Sequence, residues 1–400
     1  MNEKNGLAFY GCTPVRDLYL PYGRQWLDED DIQAVVNVLR GDYLTTGPTV
    51  TLFEEKLAEY VGARYAAAFS SGTAALHGAC FAAGISRGDE VITTPLTFAA
   101  SANCVLYQGG RPVFADIDPK TFNINCDSIE KLTTKKTKVI IPVDFAGQPV
   151  NLERIRDTAQ KHNLIVIEDA AHALGAAYKG KKIGSISDMT MFSFHPVKHI
   201  TTGEGGVITT NHNEFYDRLI DFRTHGITRE RQKLMENHGP WYYEMQYLGY
   251  NYRITDIQAA LGISQLKKLD YFIKKRRLYA KMYNEAFSQI EQISIPYQSK
   301  EAESSWHLYI ISLNLNKLKV GRKEIFEALQ KENIGVNVHY IPVYYHPYYQ
   351  RLGYKKGLCP DAESIYEKII TLPLFPLMTE QDVKDVIASV KKVLTYYSVI

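Results

Sequence analysis

Between residues 51 and 210, short β-branched runs alternate with amphipathic ones, and no other feature of the chain limits its fold so tightly. Residues 51–61 and 101–107 have helical periodicity, whereas residues 65–69, 91–94, 112–116, 139–143, 164–169 and 190–194 read as buried strands. Strand and helix taking turns predicts an α/β fold with a mostly parallel central sheet and helices on both faces, because parallel neighbours need crossovers that cover the sheet. Ligands of such sheets collect beyond the carboxyl ends of the strands. Thr94-Pro95, Asp169 and the segment after Phe194 are thereby expected on one rim.

A long helical pattern covers 255–287, and its basic run Lys274-Lys275-Arg276-Arg277 reads as a solvated face. A strand-like run at 308–315, a helix at 322–332, an extended piece at 336–341 and helices at 361–370 and 379–396 follow. The chain is expected to divide into a large domain over 1–269 and a small C-terminal α/β domain over 270–400.

Four hundred residues, 45% hydrophobic and 22% charged, suffice for a sizeable core. Forty-six basic against forty-four acidic side chains leave +2, too balanced for the field of a nucleic-acid binder. The five cysteines are scattered without metal-type spacing, so reduced thiols in a cytoplasmic protein are expected, and no metal site. Neither the stretch 1–10 nor the most apolar one, 66–85, offers a signal core or membrane span; Ser70, Ser71, Gly72, His77 and Gly78 break the latter. Tyrosine is abundant and clusters at 340, 344, 345, 348, 349 and 354, which suits subunit contacts, nucleotide pockets or plain packing equally.

Lys198 stands between the strand-like run ending at Phe194 and the turn Gly203-Glu204-Gly205-Gly206, and Asp169 closes an earlier apolar run. This pair is what a pyridoxal phosphate enzyme requires. The amine forms a Schiff base with the cofactor aldehyde, and the carboxylate keeps the pyridine nitrogen protonated. Ser71-Gly72-Thr73-Ala74 opens a helix after a strand, where small residues and amide donors suit a phosphate, although any well-capped helix can begin so. Ser193 offers a further hydroxyl to that phosphate. His172 could hydrogen-bond or lie against the ring, and Phe98 could supply an aromatic face; each is also an ordinary packing residue. Asn251 beside Arg253, ahead of Thr255-Asp256, brings an amide and a guanidinium suited to phosphates and hydroxyls.

Together these motifs resemble the DegT/DnrJ/EryC1/StrS nucleotide-sugar aminotransferase family, from Tyr43-Leu44-Thr45-Thr46-Gly47-Pro48 through Glu168-Asp169-Ala170-Ala171-His172 to residues 249–261. The resemblance implies a fold-type-I, pyridoxal 5′-phosphate-dependent transaminase. It gives Lys198 the cofactor, Asp169 the pyridine nitrogen and Ser193 the phosphate. It brings Asn251 from a neighbouring subunit, hence a homodimer with shared sites. The family often has glutamine where this chain has His172. A dehydratase branch carries histidine at the lysine position, whereas here the histidine is one residue later, His199. Residues 21–27, 194–198 and 338–345 look like the branch that makes UDP-4-amino-4,6-dideoxy-N-acetyl-β-L-altrosamine for pseudaminic acid from a UDP-linked 4-keto-6-deoxy sugar and L-glutamate. By that likeness Tyr22, Leu44, Thr45, Thr46, Arg253, His339 and Tyr340 line the sugar-nucleotide pocket.

Overall fold

The computed structural model describes residues 6–399. The first five residues of the stretch 1–10 read for a signal core lie outside the described residues. Seven strands, β1 (Tyr65–Phe69), β2 (Glu90–Thr93), β3 (Arg111–Phe114), β4 (Thr137–Ile141), β5 (Ile165–Asp169), β6 (Met189–Ser193) and β7 (Gly206–Thr210), form one sheet in the order β1-β7-β6-β5-β4-β2-β3. All pairings from β6 to β3 are parallel, and only β7 runs against its neighbours β6 and β1. The link from Ser193 to Gly206 holds no helix, and β7 returns beside β6. The carboxyl ends of β1, β2, β5 and β6 share one rim, as the alternation predicts.

Apolar residues bury each sheet face. Ala66, Ala68, Val166, Phe192 and Val207 point into one cluster with the helix Pro48–Val61, and Ala67, Phe69, Ile167, Met191 and Ile208 into another with the helix Gly72–Ala82. A further core gathers Tyr309, Ile311, Ile370 and Leu372 with Val383, Val386 and Val390, and Leu7 and Leu20 join it from the N-terminal segment. Among the described residues no helix is long and apolar enough to cross a membrane.

Three expectations need correction. The helical pattern at 255–287 is two helices, Asp256–Leu266 and Leu269–Phe287. The first packs on the helices Glu29–Leu39 and Pro48–Val61, while the second carries Leu269, Phe272 and Ile273 into the core beside Pro48–Val61 and Tyr279, Tyr283 and Phe287 into the C-terminal core. Lys268, at the break, pairs with Asp28 and, at 2.9 Å, with Asp31. The basic run is not uniformly solvated: Arg276 is 1% exposed, and its guanidinium donates to the carbonyls of His307 at 3.0 Å and Leu374 at 2.8 Å. The helix expected over 361–370 ends at Tyr366, and Ile369–Leu372 is a strand paired with Tyr309–Leu313. Residues 336–341, expected as an extended piece, hold a bridge of Asn337 to Thr371. Residues 337–341 border the main cavity. Of the clustered tyrosines, Tyr344, Tyr349 and Tyr354 pack their rings around Phe114, which is the plain packing outcome.

Candidate active site

A cavity of about 880 Å³ opens at the carboxyl rim of the sheet. Tyr22, Ser71, Gly72, Thr73, Phe98, Asp169, His172, Ser193, Lys198, His339 and Tyr340 all line it. Ser71 caps the helix Gly72–Ala82, its Oγ accepting from the Ala74 amide at 3.1 Å. The first intrahelical bond comes only from Ala75, to the Ser71 carbonyl at 3.0 Å, so the Gly72 and Thr73 amides precede the ladder and sit at the positive end of the helix. A β-carbon on Gly72 would lie 3.2 Å from Cβ of Ser193, and one on Gly206 would lie 2.6 Å from the backbone N and Cα of Gly72. Glycine at both places lets β7, the helix start and Ser193 close into one shallow cradle of amides and hydroxyls.

Asp169 ends β5 with 4% of its surface exposed. Ser101 Oγ donates to its Oδ2 at 2.6 Å and the Ala171 amide to its Oδ1 at 3.2 Å. Burial pushes the carboxyl above its ordinary range, opposed by those donors and by the Lys198 charge. Lys198 follows a turn closed by its amide to the His195 carbonyl at 2.9 Å. Loss of hydration brings its amine down to about 8; Asp169 opposes the shift and Arg276 adds to it. His172 is held well below the usual histidine range by burial, then by the charge of Lys198. Its Nε2 lies 3.1 Å from the Tyr340 hydroxyl, and its ring lies 4.3 Å from that of His307. His339 is pushed down to about 3 by burial, with its Nδ1 2.8 Å from Thr371 Oγ1. Phe98 stands at the mouth, 62% exposed.

The remaining expected residues are elsewhere. Ala74 is buried behind the cradle, its amide spent on Ser71. Leu44, Thr45 and Thr46 lie on an exposed ledge, where the Leu44 carbonyl accepts from the Asp256 amide at 3.0 Å and Thr45 bridges Thr255. Asn251, bridged to Thr224, and Arg253 come just before Thr255 and Asp256 in the chain and do not border the cavity. Ser101, Arg276, His307 and Asn337 were missed by sequence reasoning. Arg276 was hidden in a basic run, and nothing in the spacing of the others marks them.

The donor set fits pyridoxal 5′-phosphate: a cradle for a phosphate, a buried carboxylate for a pyridine nitrogen, and an amine of lowered basicity for an aldehyde. Residues 25–391 match the model of the DegT/DnrJ/EryC1/StrS aminotransferase family. The chain belongs to that family. It is an aminotransferase, and pyridoxal 5′-phosphate is the cofactor its site is built for. Relatives of this family member include "Uncharacterized protein MJ1066" of Methanocaldococcus jannaschii, 47% identical over 95% of this chain and 99% of the relative. Spore coat polysaccharide biosynthesis protein SpsC of Bacillus subtilis is 43% identical, covering 95% and 98%. A UDP-4-amino-4,6-dideoxy-N-acetyl-beta-L-altrosamine transaminase of Campylobacter jejuni is 40% identical, covering 91% and 95%. Among solved structures, Helicobacter pylori PseC, an aminotransferase of pseudoaminic acid biosynthesis, superposes with a TM-score of 0.88 at 35% identity over 95% of this chain and 100% of its own. The PLP form of a putative sugar aminotransferase from Streptococcus pneumoniae gives 0.88 at 32%, over 94% and 99%.

Proposed function

We propose that this aminotransferase moves the amino group of L-glutamate to C4 of a UDP-linked 4-keto-6-deoxy-N-acetylhexosamine, giving UDP-4-amino-4,6-dideoxy-N-acetyl-β-L-altrosamine for pseudaminic acid synthesis. The observation that carries the chemistry is Lys198 and Asp169 lining one cavity with the phosphate cradle. The substrate is supported by the likeness to the Campylobacter and Helicobacter enzymes, and by a cavity whose size leaves room for a ligand beside the cofactor.

When bound, the cofactor supplies an aldehyde that takes up amino groups and a ring that accepts electrons. The hydroxyls of Ser71 and Ser193 and the amides of Gly72 and Thr73 hold its phosphate. The Asp169 carboxylate, steadied by Ser101, keeps the proton on the pyridine nitrogen. The Lys198 amine takes the proton from Cα of L-glutamate and, in the second half-reaction, delivers one to C4 of the sugar. His172 and Phe98 bound the ring. Tyr22, His339 and Tyr340 face the sugar nucleotide from the C-terminal side, and Leu44, Thr45, Thr46, Asn251 and Arg253 reach a site from a second copy of the chain. Leu44, Thr45, Thr46 and Asn251 are exposed and none of the five borders the chain's own cavity, which supports a homodimer with shared sites. Free thiols throughout support a reducing, cytoplasmic setting.

A single turnover tests the proposal. The enzyme is treated with L-glutamate, desalted, and given the UDP-linked 4-keto sugar. An aminated sugar nucleotide in the mass spectrum is the expected result. Conversion by glutamate without turnover of this sugar would favour the second reading, amination of another nucleotide 4-keto- or 3-keto-6-deoxy sugar, which the likeness to the spore coat protein supports. No response to glutamate would refute the donor.

A further inference from the structure

Tyr22 lines the cavity beside His339, their ring centroids 5.5 Å apart, yet the residues that lead to it, 7–21, hold only one short 3-10 turn of their own. A run of four residues that the chemistry above does not use, Glu332 to Gly335, receives them. Glu332 has no exposed surface. Its Oε1 accepts from the Ala8 amide at 2.9 Å and its Oε2 from the Val15 amide at 2.8 Å, while Lys392 of the helix Glu380–Tyr397 pairs with it at 2.9 Å. Asn333, left-handed at φ 61°, donates from Nδ2 to the Arg16 carbonyl at 2.8 Å, and its own carbonyl accepts from the Leu20 amide at 2.9 Å. The Gly335 amide donates to the Leu20 carbonyl at 2.7 Å. A β-carbon on Gly335 would stand 2.6 Å from that carbonyl oxygen and 2.9 Å from Cα of Pro21, so only glycine lets the two segments lie this close. Two residues further on, the same stretch becomes the cavity wall at 337–341.

A fully buried carboxylate is costly unless its lone pairs are met, and here two amides and an ammonium meet them. Because the amides belong to positions 8 and 15, one side chain closes the loop between them. Arg16 adds ion pairs to Asp382 at 2.8 Å and Asp385 at 2.5 Å, and Leu7 and Leu20 enter the C-terminal core. At the tip, the Leu374 amide donates to the Tyr22 carbonyl at 3.2 Å. Through these contacts Tyr22 takes its place from the C-terminal core, whereas Asp169 takes its own from the sheet.

We propose that Glu332 is a positioning residue: it fastens residues 7–22 as a strap that sets Tyr22 against His339, and so serves the half-reaction of the sugar nucleotide and not that of L-glutamate. The second part rests on the reading that Tyr22 faces the sugar nucleotide.

Amide hydrogen exchange and the two half-reactions, measured on the holoenzyme, test both parts. In Glu332→Ala the Ala8 and Val15 amides should exchange at least about tenfold faster, with those of β5 unchanged. Conversion by L-glutamate, followed by cofactor absorbance, should stay within about twofold of the parent, while kcat/KM for the UDP-linked 4-keto sugar should fall at least about tenfold. Tyr22→Ala should lose as much with the sugar, and adding Glu332→Ala to it should lose little more, because one residue acts through the other. Gly335→Ala pushes on the Leu20 carbonyl without stranding Lys392. It should give the same division between half-reactions with faster exchange at Leu20, and it replaces Glu332→Ala should that variant not fold. Unchanged exchange overturns the fastening. Losses that multiply in the double variant, or equal slowing of both half-reactions, overturn the positioning role. A parent enzyme that responds to L-glutamate but leaves this sugar untouched refutes the sugar reading alone: exchange needs no substrate, and the comparison of half-reactions is then made with the nucleotide 4-keto sugar that the parent does aminate.

Discussion

At the scale of single residues, the site turns on an amine that loses basicity where it is needed. Lys198 is lowered from the ordinary lysine value of 10.5 to about 8, mainly because burial strips water from its charged form. The neutral amine is the nucleophile, so capture of added pyridoxal phosphate by the cofactor-free protein should rise about tenfold per pH unit and level off near pH 8. A plateau reached only near 10.5 would show an ordinary, hydrated lysine. The stability sign follows from the same shift. Between about 8 and 10.5 the unfolded chain holds a proton that the folded one has released, so this group makes the cofactor-free protein more stable as pH rises across that window. Lys198 and Asp169 were legible in the sequence because their chemistry is distinctive and each adjoins an apolar run. Ser101, which orients Asp169, was not: a serine at the start of a helix carries no mark of the carboxylate it will meet.

At the scale of elements, strands and helices of the central sheet follow their periodicity closely, since each buried run has one face to satisfy or two. The failures lie where a neighbour decides. The pattern over 255–287 has nothing to break it locally, yet it divides at Lys267 and Lys268, where Lys268 pairs with Asp28 and Asp31. Ile369-Ile370-Thr371 extends as a strand because Tyr309–Leu313 offers it a partner. The junction of β7 with the helix Gly72–Ala82 carries a sharper consequence. A methyl group at Gly206 would meet backbone atoms of Gly72 at 2.6 Å, which cannot rotate away. Gly206→Ala should therefore displace the cradle, weakening cofactor retention at least about tenfold and destabilising the fold by about 1–3 kcal/mol, as thermal unfolding with and without cofactor would report. An unaltered affinity would mean that the phosphate lies elsewhere.

At the scale of the molecule, the proposed sharing of sites between two copies has a direct measurement. Lys198→Ala and Asn251→Ala damage different copies of the same site, so each variant alone should be nearly inactive. Refolded together in equal amounts, half the dimers are hybrids with one undamaged site, and about a quarter of the parental activity should return. No recovery would place Asn251 and Lys198 in one copy's site. The alternation of strands and helices, the rim they share and the lysine, aspartate and serine set were determined by the sequence itself, because periodicity and side-chain chemistry are local properties. The assembly of Tyr22, His307 and residues 337–341 around Lys198 and the burial of Arg276 were decided only by tertiary structure. Each depends on which distant surfaces pack together, and a dry interior then sets where protons and charges can reside.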